Sequence, residues 1–436
     1  MAKIRPFRGL RYDLERAGAA EQLMAPPYDV VDDAGRAELA SRSEHNCIHF
    51  ILPEGDDDGR YASGAARFRA IAQATMVRDE APSVYVYHQR FTAMGQTYTR
   101  KGFITLIELT RFGQGPVLAH ERTLAGPKRD RLELMRACQA HLELVFGMFS
   151  DPDRRWESAV GDLGAPVLEA ELDDVHHTLW KVDDPTALAA LAELLAPRDI
   201  YIADGHHRYE TMCSFRDELA AQGHPEANWG MIYLSNLDDP GLVVLPTHRL
   251  VHAMPPIDLP AVLQRVERWF DIETEPLPSS PTNLRERLQA AGRERAAFGL
   301  SVPKSGQMHV LRLREDFDPA DAGLADLAPA LARLDVALLH ELLLERALGI
   351  GKAAQEAKTN LHYYKSSERA LQVAAQGGDD TQLVCFMNAT PVADVRAVCD
   401  SGEVMPQKST FFHPKIPNGL VFNDLAAAAQ HDSTRS

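Results

Sequence analysis

Five consecutive residues, Asp204, Gly205, His206, His207 and Arg208, bring together a carboxylate, a permissive backbone, two imidazoles and a guanidinium. The apolar, β-branched run before them (199–203) reads as a buried strand. The stretch after them (209–219) has apolar residues at helical spacing and no breaker. The five residues therefore fall on a strand-to-helix turn, beside the first-turn amides of a helix. Such a turn suits anions: the amides and the helix dipole favour negative charge, and an arginine can fork onto phosphate oxygens. Gly205 lets the backbone approach a ligand. A metal is the other chemistry these residues allow. His206 and Glu210 are four apart and His207 and Glu210 three apart, so a helix puts each pair on one face. Cys213 lies a turn beyond Glu210, but a lone thiol there is more often a small buried hydrophobe. The plain structural alternative is a pair of histidines that only cap the helix.

Three further clusters carry candidate chemistry. His120-Glu121 follows a turn containing Gly113, Gly115 and Pro116, and Glu121 is a candidate general base. Otherwise the pair is a solvated cap feeding the next helix. His248-Arg249 repeats the His-Arg combination after an apolar strand, either lining the same cleft as Arg208 or ending a strand at the surface. The segment 405–415 places Lys408, Ser409 and Lys415 between prolines, which suits phosphate or carboxylate recognition as well as an ordinary basic loop. Gly349-Ile350-Gly351-Lys352 is no Walker loop, and Gly113-Gln114-Gly115-Pro116 breaks any dinucleotide fingerprint.

The elements that must position these residues alternate irregularly. Helices are predicted over 34–41, 59–79, 184–195, 260–270, 282–291, 336–348 and 368–375, and another from 128 to 142. Strands are predicted at 83–91 and 101–108 about a turn near Gly95, and at 145–149 and 178–182. Further strands are expected at 297–300, 308–314 and 383–387, and 229–234 with 242–245 reads as a strand pair. Mixed elements without regular βαβ spacing argue for an α+β fold with mixed sheets. A composition change at Pro255-Pro256 places a boundary there, giving regions 1–254 and 255–424 and a simple-composition tail, 425–436.

The chain has 436 residues, 45% hydrophobic and 25% charged, enough for two or three domains with substantial cores. A formal charge of −16 repels phosphate backbones and disfavours nucleic acid as a partner. The acidic runs Asp56-Asp57-Asp58 and Asp379-Asp380 read as solvated turns. Five scattered cysteines without CxxC spacing support neither a disulfide framework nor a zinc site. With no signal-like start and no membrane-length apolar run, a cytoplasmic protein is expected.

The segments RPFRGLRYD, APPYDVV, HERT, ADGHHRYET, LPTHR, LDVALLHELLL and MPQKSTFFHPKIPNGLVF resemble a widespread bacterial and archaeal family known only as a domain of unknown function. That resemblance runs from Arg5 to about Phe422. The DGHHR element is also similar to the phosphate-binding turn of the ParB/sulfiredoxin superfamily, and in shape most of all to its free-serine kinases. The resemblance implies a strand-turn-helix phosphate site with additional α/β subdomains, and a kinase that transfers phosphate from ATP or ADP to a small polar metabolite, free L-serine first. It carries over Asp204 to Arg208 alone. Arg208 and Gly205 would hold phosphates together with His248, Arg249, Lys408, Ser409 and Lys415. His206 or His207 would stabilise transferring charge, Asp204 would hold Mg²⁺ or orient a histidine, and Glu121 would deprotonate the acceptor. A non-catalytic nucleotide or metabolite sensor and a metal-dependent hydrolase are the alternatives. The partners expected are a small-molecule substrate and a nucleotide, no membrane, with a homodimer left open.

Overall fold

The computed structural model describes residues 1–55, 58–123, 125–220, 225–378 and 380–426. By internal contacts the chain divides into two compact units. The first comprises residues 1–119, 123–243 and 414–436, the second 120–122 and 244–413. The expected linear division after residue 254 differs from this arrangement. The strand His248–His252 belongs to the second unit, and residues 414–426 rejoin the first.

The first unit is built on a nine-stranded mixed sheet. From one edge its order is Val117–Leu118, Ile200–Asp204, Val145–Phe149, Trp229–Asn236, Gln96–Glu108, Val84–Ala93, Val175–Val182 and Leu168–Leu172, with Ile4–Arg5 also paired to Gln96–Glu108. Ile200–Asp204 runs parallel to Val117–Leu118, and Val145–Phe149 parallel to Trp229–Asn236; the other pairings are antiparallel. The long central hairpin turns on Met94 (φ 53) and Gly95 (φ 78), the two positive-φ positions that a tight right-twisted hairpin requires. Helix Pro185–Leu195 starts where Asp184 accepts from Ala187 N–H at 2.8 Å, and it buries Ala187, Leu191 and Leu195 at four-residue spacing. Those side chains share one core with Ile200, Ile202, Tyr209 and Met212, so the strand and helix flanking the DGHHR turn are both clamped.

Two expectations change in this unit. The helix expected over 59–79 stops at Thr75, whose hydroxyl turns back to the Ile71 carbonyl, and Met76–Arg78 pairs with Leu10–Tyr12 as a strand. The strands Trp229–Asn236 and Val243–Leu245 exist but do not pair with each other. The former lies between Val145–Phe149 and Gln96–Glu108, whereas the latter pairs with Phe411–His413.

The second unit carries a six-stranded antiparallel sheet in the order Phe270–Pro276, Gln307–Leu313, Ala297–Ser301, Thr381–Phe386, His248–His252 and Leu361–Tyr364. Helices Pro281–Ala291 and Ser367–Gln376 cover it through Leu284, Leu288, Ala370 and Leu371 against Leu250, Val310 and Phe386. Phe270–Pro276 was not legible as a strand because its sequence, FDIETEP, carries three acidic residues and ends in proline, and its side chains are mostly accessible. The helix expected over 336–348 begins as α-helix at Asp335–Leu338 and continues as a π-helix, Leu339–Ala347.

The fold is α+β. The expected tail begins as packed chain: Leu425 is buried with Phe215, Leu219 and Ala227, and its N–H donates to the Gln139 carbonyl. Residues 427–436, Asp56, Asp57 and Asp379 lie outside the described residues. All five cysteines are buried and free. Among the described residues, no helix is long and apolar enough to cross a membrane.

Candidate functional site

The strand Ile200–Asp204 loses its register against Val145–Phe149 between Ile202 and Asp204, an irregularity that re-aims the last side chain of the strand. Gly205 follows at φ 86, and helix His206–Ala220 begins, its first backbone bond running from Tyr209 N–H to the Gly205 carbonyl. Both the left-handed backbone and the space require glycine: a Cβ there would meet the Arg208 guanidinium at 3.0 Å.

Arg208 is buried. Its Nη2 donates to Asp204 Oδ2 at 2.6 Å and its Nη1 to the Leu144 carbonyl. Burial by itself would lower the Arg208 pKa, but Asp204 and Glu143 more than offset this and raise it. Asp204 Oδ1 takes the ammonium of Lys415. Lys415 is delivered by backbone anchors: Arg100 Nη2 donates to the Pro414 carbonyl at 2.6 Å, and Gln89 Nε2 to the Lys415 carbonyl at 3.0 Å. One carboxylate thus holds two cations at the start of a 15-residue helix. His206 is buried with its ring 6.4 Å from that of Phe112, while His207 and Asp204 are partly accessible.

Arg131, Glu143 and Tyr28 line up beside this turn, and the sequence reading missed all three. Arg131 is buried between Asp130 (2.6 Å) and Glu143 (3.0 Å), with its guanidinium 4.1 Å from the centre of the Tyr28 ring. Burial pushes the Tyr28 hydroxyl up to about 12. The available signal was the glutamate inside the apolar run HLELVF, where an ionic group is retained only if paired.

The metal reading loses its donors here. Glu210 accepts from Thr123 Oγ1 and pairs with Lys128 at 3.0 Å, and Cys213 is buried against the Thr110 carbonyl, its thiol pushed up to about 11 by burial. Among the described residues no group of three or more His, Cys, Asp or Glu is arranged to hold a metal ion. Asp204, the residue expected to hold Mg²⁺, holds Arg208 on Oδ2 and Lys415 on Oδ1 in this structure.

The remaining candidates belong to the second unit. Glu121 accepts the Lys408 N–H at 2.6 Å and forms a parallel bridge with Met405. Lys408 sits at φ 57, an unusual conformation for a side-chain-bearing residue. Its carbonyl accepts from Arg249 Nη2 at 3.1 Å. Arg249 is buried over the Tyr363 ring, and burial pushes its pKa down to about 10. His248 is structural in its bonding. Nδ1 accepts the Met387 N–H at 3.1 Å, which leaves Nε2 to donate to Ser367 Oγ at 2.9 Å, and burial pushes its pKa down to about 3. Ser409 is likewise spent, donating to the Pro406 carbonyl at 2.5 Å. The structure therefore joins Asp204, Arg208 and Lys415 in one unit and Glu121, Arg249 and Lys408 in the other.

What the fold and this turn define is an α+β protein with an anion-suited helix start at the end of a bulged sheet strand. The chain belongs to the family described as Protein of unknown function (DUF1015), whose profile matches residues 4–337. The 405–415 segment lies beyond the matched residues. No curated protein matches the chain. Among solved structures, a conserved hypothetical protein from Pyrococcus furiosus is similar at 14% identity, over 72% of this chain and 93% of that one, with a TM-score of 0.35. A free serine kinase in complex with AMP is similar at 13% identity over 70% and 88%, TM-score 0.35. SbnI from Staphylococcus aureus with a C-terminal truncation follows at 8% identity over 73% and 90%, TM-score 0.34.

Proposed function

We propose that this protein is a nucleotide-dependent phosphotransferase that moves a phosphoryl group from ATP or ADP to the hydroxyl of a small polar metabolite, free L-serine first. The observation that carries the reading is the Asp204 carboxylate, which holds Arg208 and Lys415 together at a helix start opened by a left-handed glycine. Phosphate oxygens would bind the first-turn amides, where dipole and N–H groups favour anions. Lys415 would leave Asp204 for the phosphate, a stronger acceptor carrying more charge. Arg208 stays braced between Asp204 and the Leu144 carbonyl and holds the turn in shape, a narrower role than direct phosphate contact. His207, partly accessible in the first turn, would stabilise charge on the transferring group as its bond to the donor breaks, the bond to the acceptor oxygen forms and the hydroxyl proton leaves to water. The similarity of the DGHHR element to free-serine kinases supports serine as the acceptor.

The test is a set of thermal shifts of the purified protein against ATP, ADP, CTP and pyrophosphate, with and without Mg²⁺, repeated with Lys415→Ala. A nucleotide shift that shrinks in the variant supports the reading, and formation of phosphoserine from ATP and serine completes it. No shift with any of the four overturns it. Binding with no phosphoserine would leave a nucleotide sensor.

A further inference from the structure

A cavity of about 30 Å³ lies against Arg208 in the first unit, lined by Arg131, His141, Glu143, Arg208, Leu142 and Met212. At roughly 10–15 Å³ per water-sized group, it has room for about two non-hydrogen atoms. Its charged walls are buried: Glu143 is 9% exposed, Arg131 4% and Arg208 7%. Glu143 Oε2 pairs with Arg131, whereas Oε1 is buried without a hydrogen-bond partner. A buried carboxylate oxygen left without a donor is costly, and native folds keep such a group where a ligand or water completes it. The missing partner must be a donor. An ammonium would enter a space walled by two guanidinium groups and be repelled, whereas a hydroxyl is neutral and brings the one hydrogen that Oε1 lacks. A hydroxyl on its carbon is of a size the space admits, as in a hydroxymethyl group.

We infer that Glu143 binds the hydroxymethyl end of the acceptor in this cavity and so selects hydroxylated over plain substrates. The inference rests on the phosphotransferase reading and adds to it the residue that recognises the acceptor. Glu143 reaches the acceptor oxygen from the Arg208 side of the turn, and its second oxygen keeps Arg131 neutralised throughout.

Glu143→Gln tests this sharply. The amide oxygen must face Arg131, so the amide NH₂ turns to the cavity and replaces an acceptor with a donor. Calorimetric titrations would use L-serine and L-alanine, which differ only in the hydroxyl, against the whole protein saturated with ADP in EDTA, so that no phosphoryl transfer accompanies binding. The wild type should prefer serine by about tenfold or more, and Glu143→Gln should bring the two within about threefold while still binding ADP. If Glu143→Gln does not fold, Glu143→Asp, which withdraws the carboxylate by one methylene, should show the same loss of preference. A preference that persists in the folded variants, a wild type that treats the two amino acids alike, or one that binds neither overturns the inference. Failure of the wild type to bind ADP at all is a different result, and it overturns the phosphotransferase reading instead.

Discussion

Asp204 does more than its neighbours because two cations depend on it. Arg208 is buried, and without the carboxylate its guanidinium keeps the Leu144 carbonyl and the weaker fields of Glu143, Asp29 and Tyr28. Removing one partner of a buried pair costs several times more than the pair contributes, so Asp204→Asn should lose about 3 kcal/mol in urea unfolding. Lys415→Ala removes a partly accessible cation and should change stability by less than about 1 kcal/mol while weakening nucleotide binding. If Asp204→Asn unfolds at the wild-type urea concentration, the Asp204–Arg208 contact is not what holds the turn.

At the scale of elements, the strand–glycine–helix joint and the buried histidines of the second unit make separate predictions. Gly205→Ala forces a Cβ into the left-handed region and against Arg208, and should cost about 1–2 kcal/mol together with the nucleotide-dependent thermal shift. In the second unit, burial pushes His248 on its strand and His340 on the π-helix down to about 3. The unfolded chain protonates these rings near 6.5 while the folded one does not, so it binds more protons below that pH and stability falls on acidification. Asp335 acts in the opposite sense. Burial raises it to about 6, so the folded state binds the extra proton between about pH 6 and 3.8 and gains stability as the pH falls. Two histidines shifted by more than one aspartate decide the sign. Urea midpoints should drop from pH 6.5 toward pH 4, and His340→Gln should flatten that slope; a midpoint that rises with acid would show Asp335 to dominate.

For the whole molecule, the second unit's sheet uses only strands between His248 and Phe386. Its helices Pro281–Ala291 and Ser367–Gln376 come from the same stretch, so its core needs no chain from outside. Residues 244–413 expressed alone should therefore unfold cooperatively by circular dichroism. A broad, non-cooperative melt would mean that the three residues 120–122, with the Glu121–Lys408 and His120–Thr410 bonds, are needed to complete it.

Local chemistry in the sequence determined many of the elements and the principal turn. Ile200–Asp204 and His206–Ala220 lie within a few residues of their expected positions because apolar periodicity and a β-branched run act over short distances. The hairpin at Gly95 and helix Pro185–Leu195 were readable for the same reason. What the sequence could not supply was partnership at long separation. Lys415 meets Asp204 across 211 residues, and Lys408 is held by Glu121 across 287. Nor could it show that Arg208 is a buried brace, or that Val243–Leu245 pairs with Phe411–His413, since burial and strand pairing depend on which surfaces meet. Periodicity is written residue by residue, whereas the neutralisation of a buried charge is settled only when distant segments close around it.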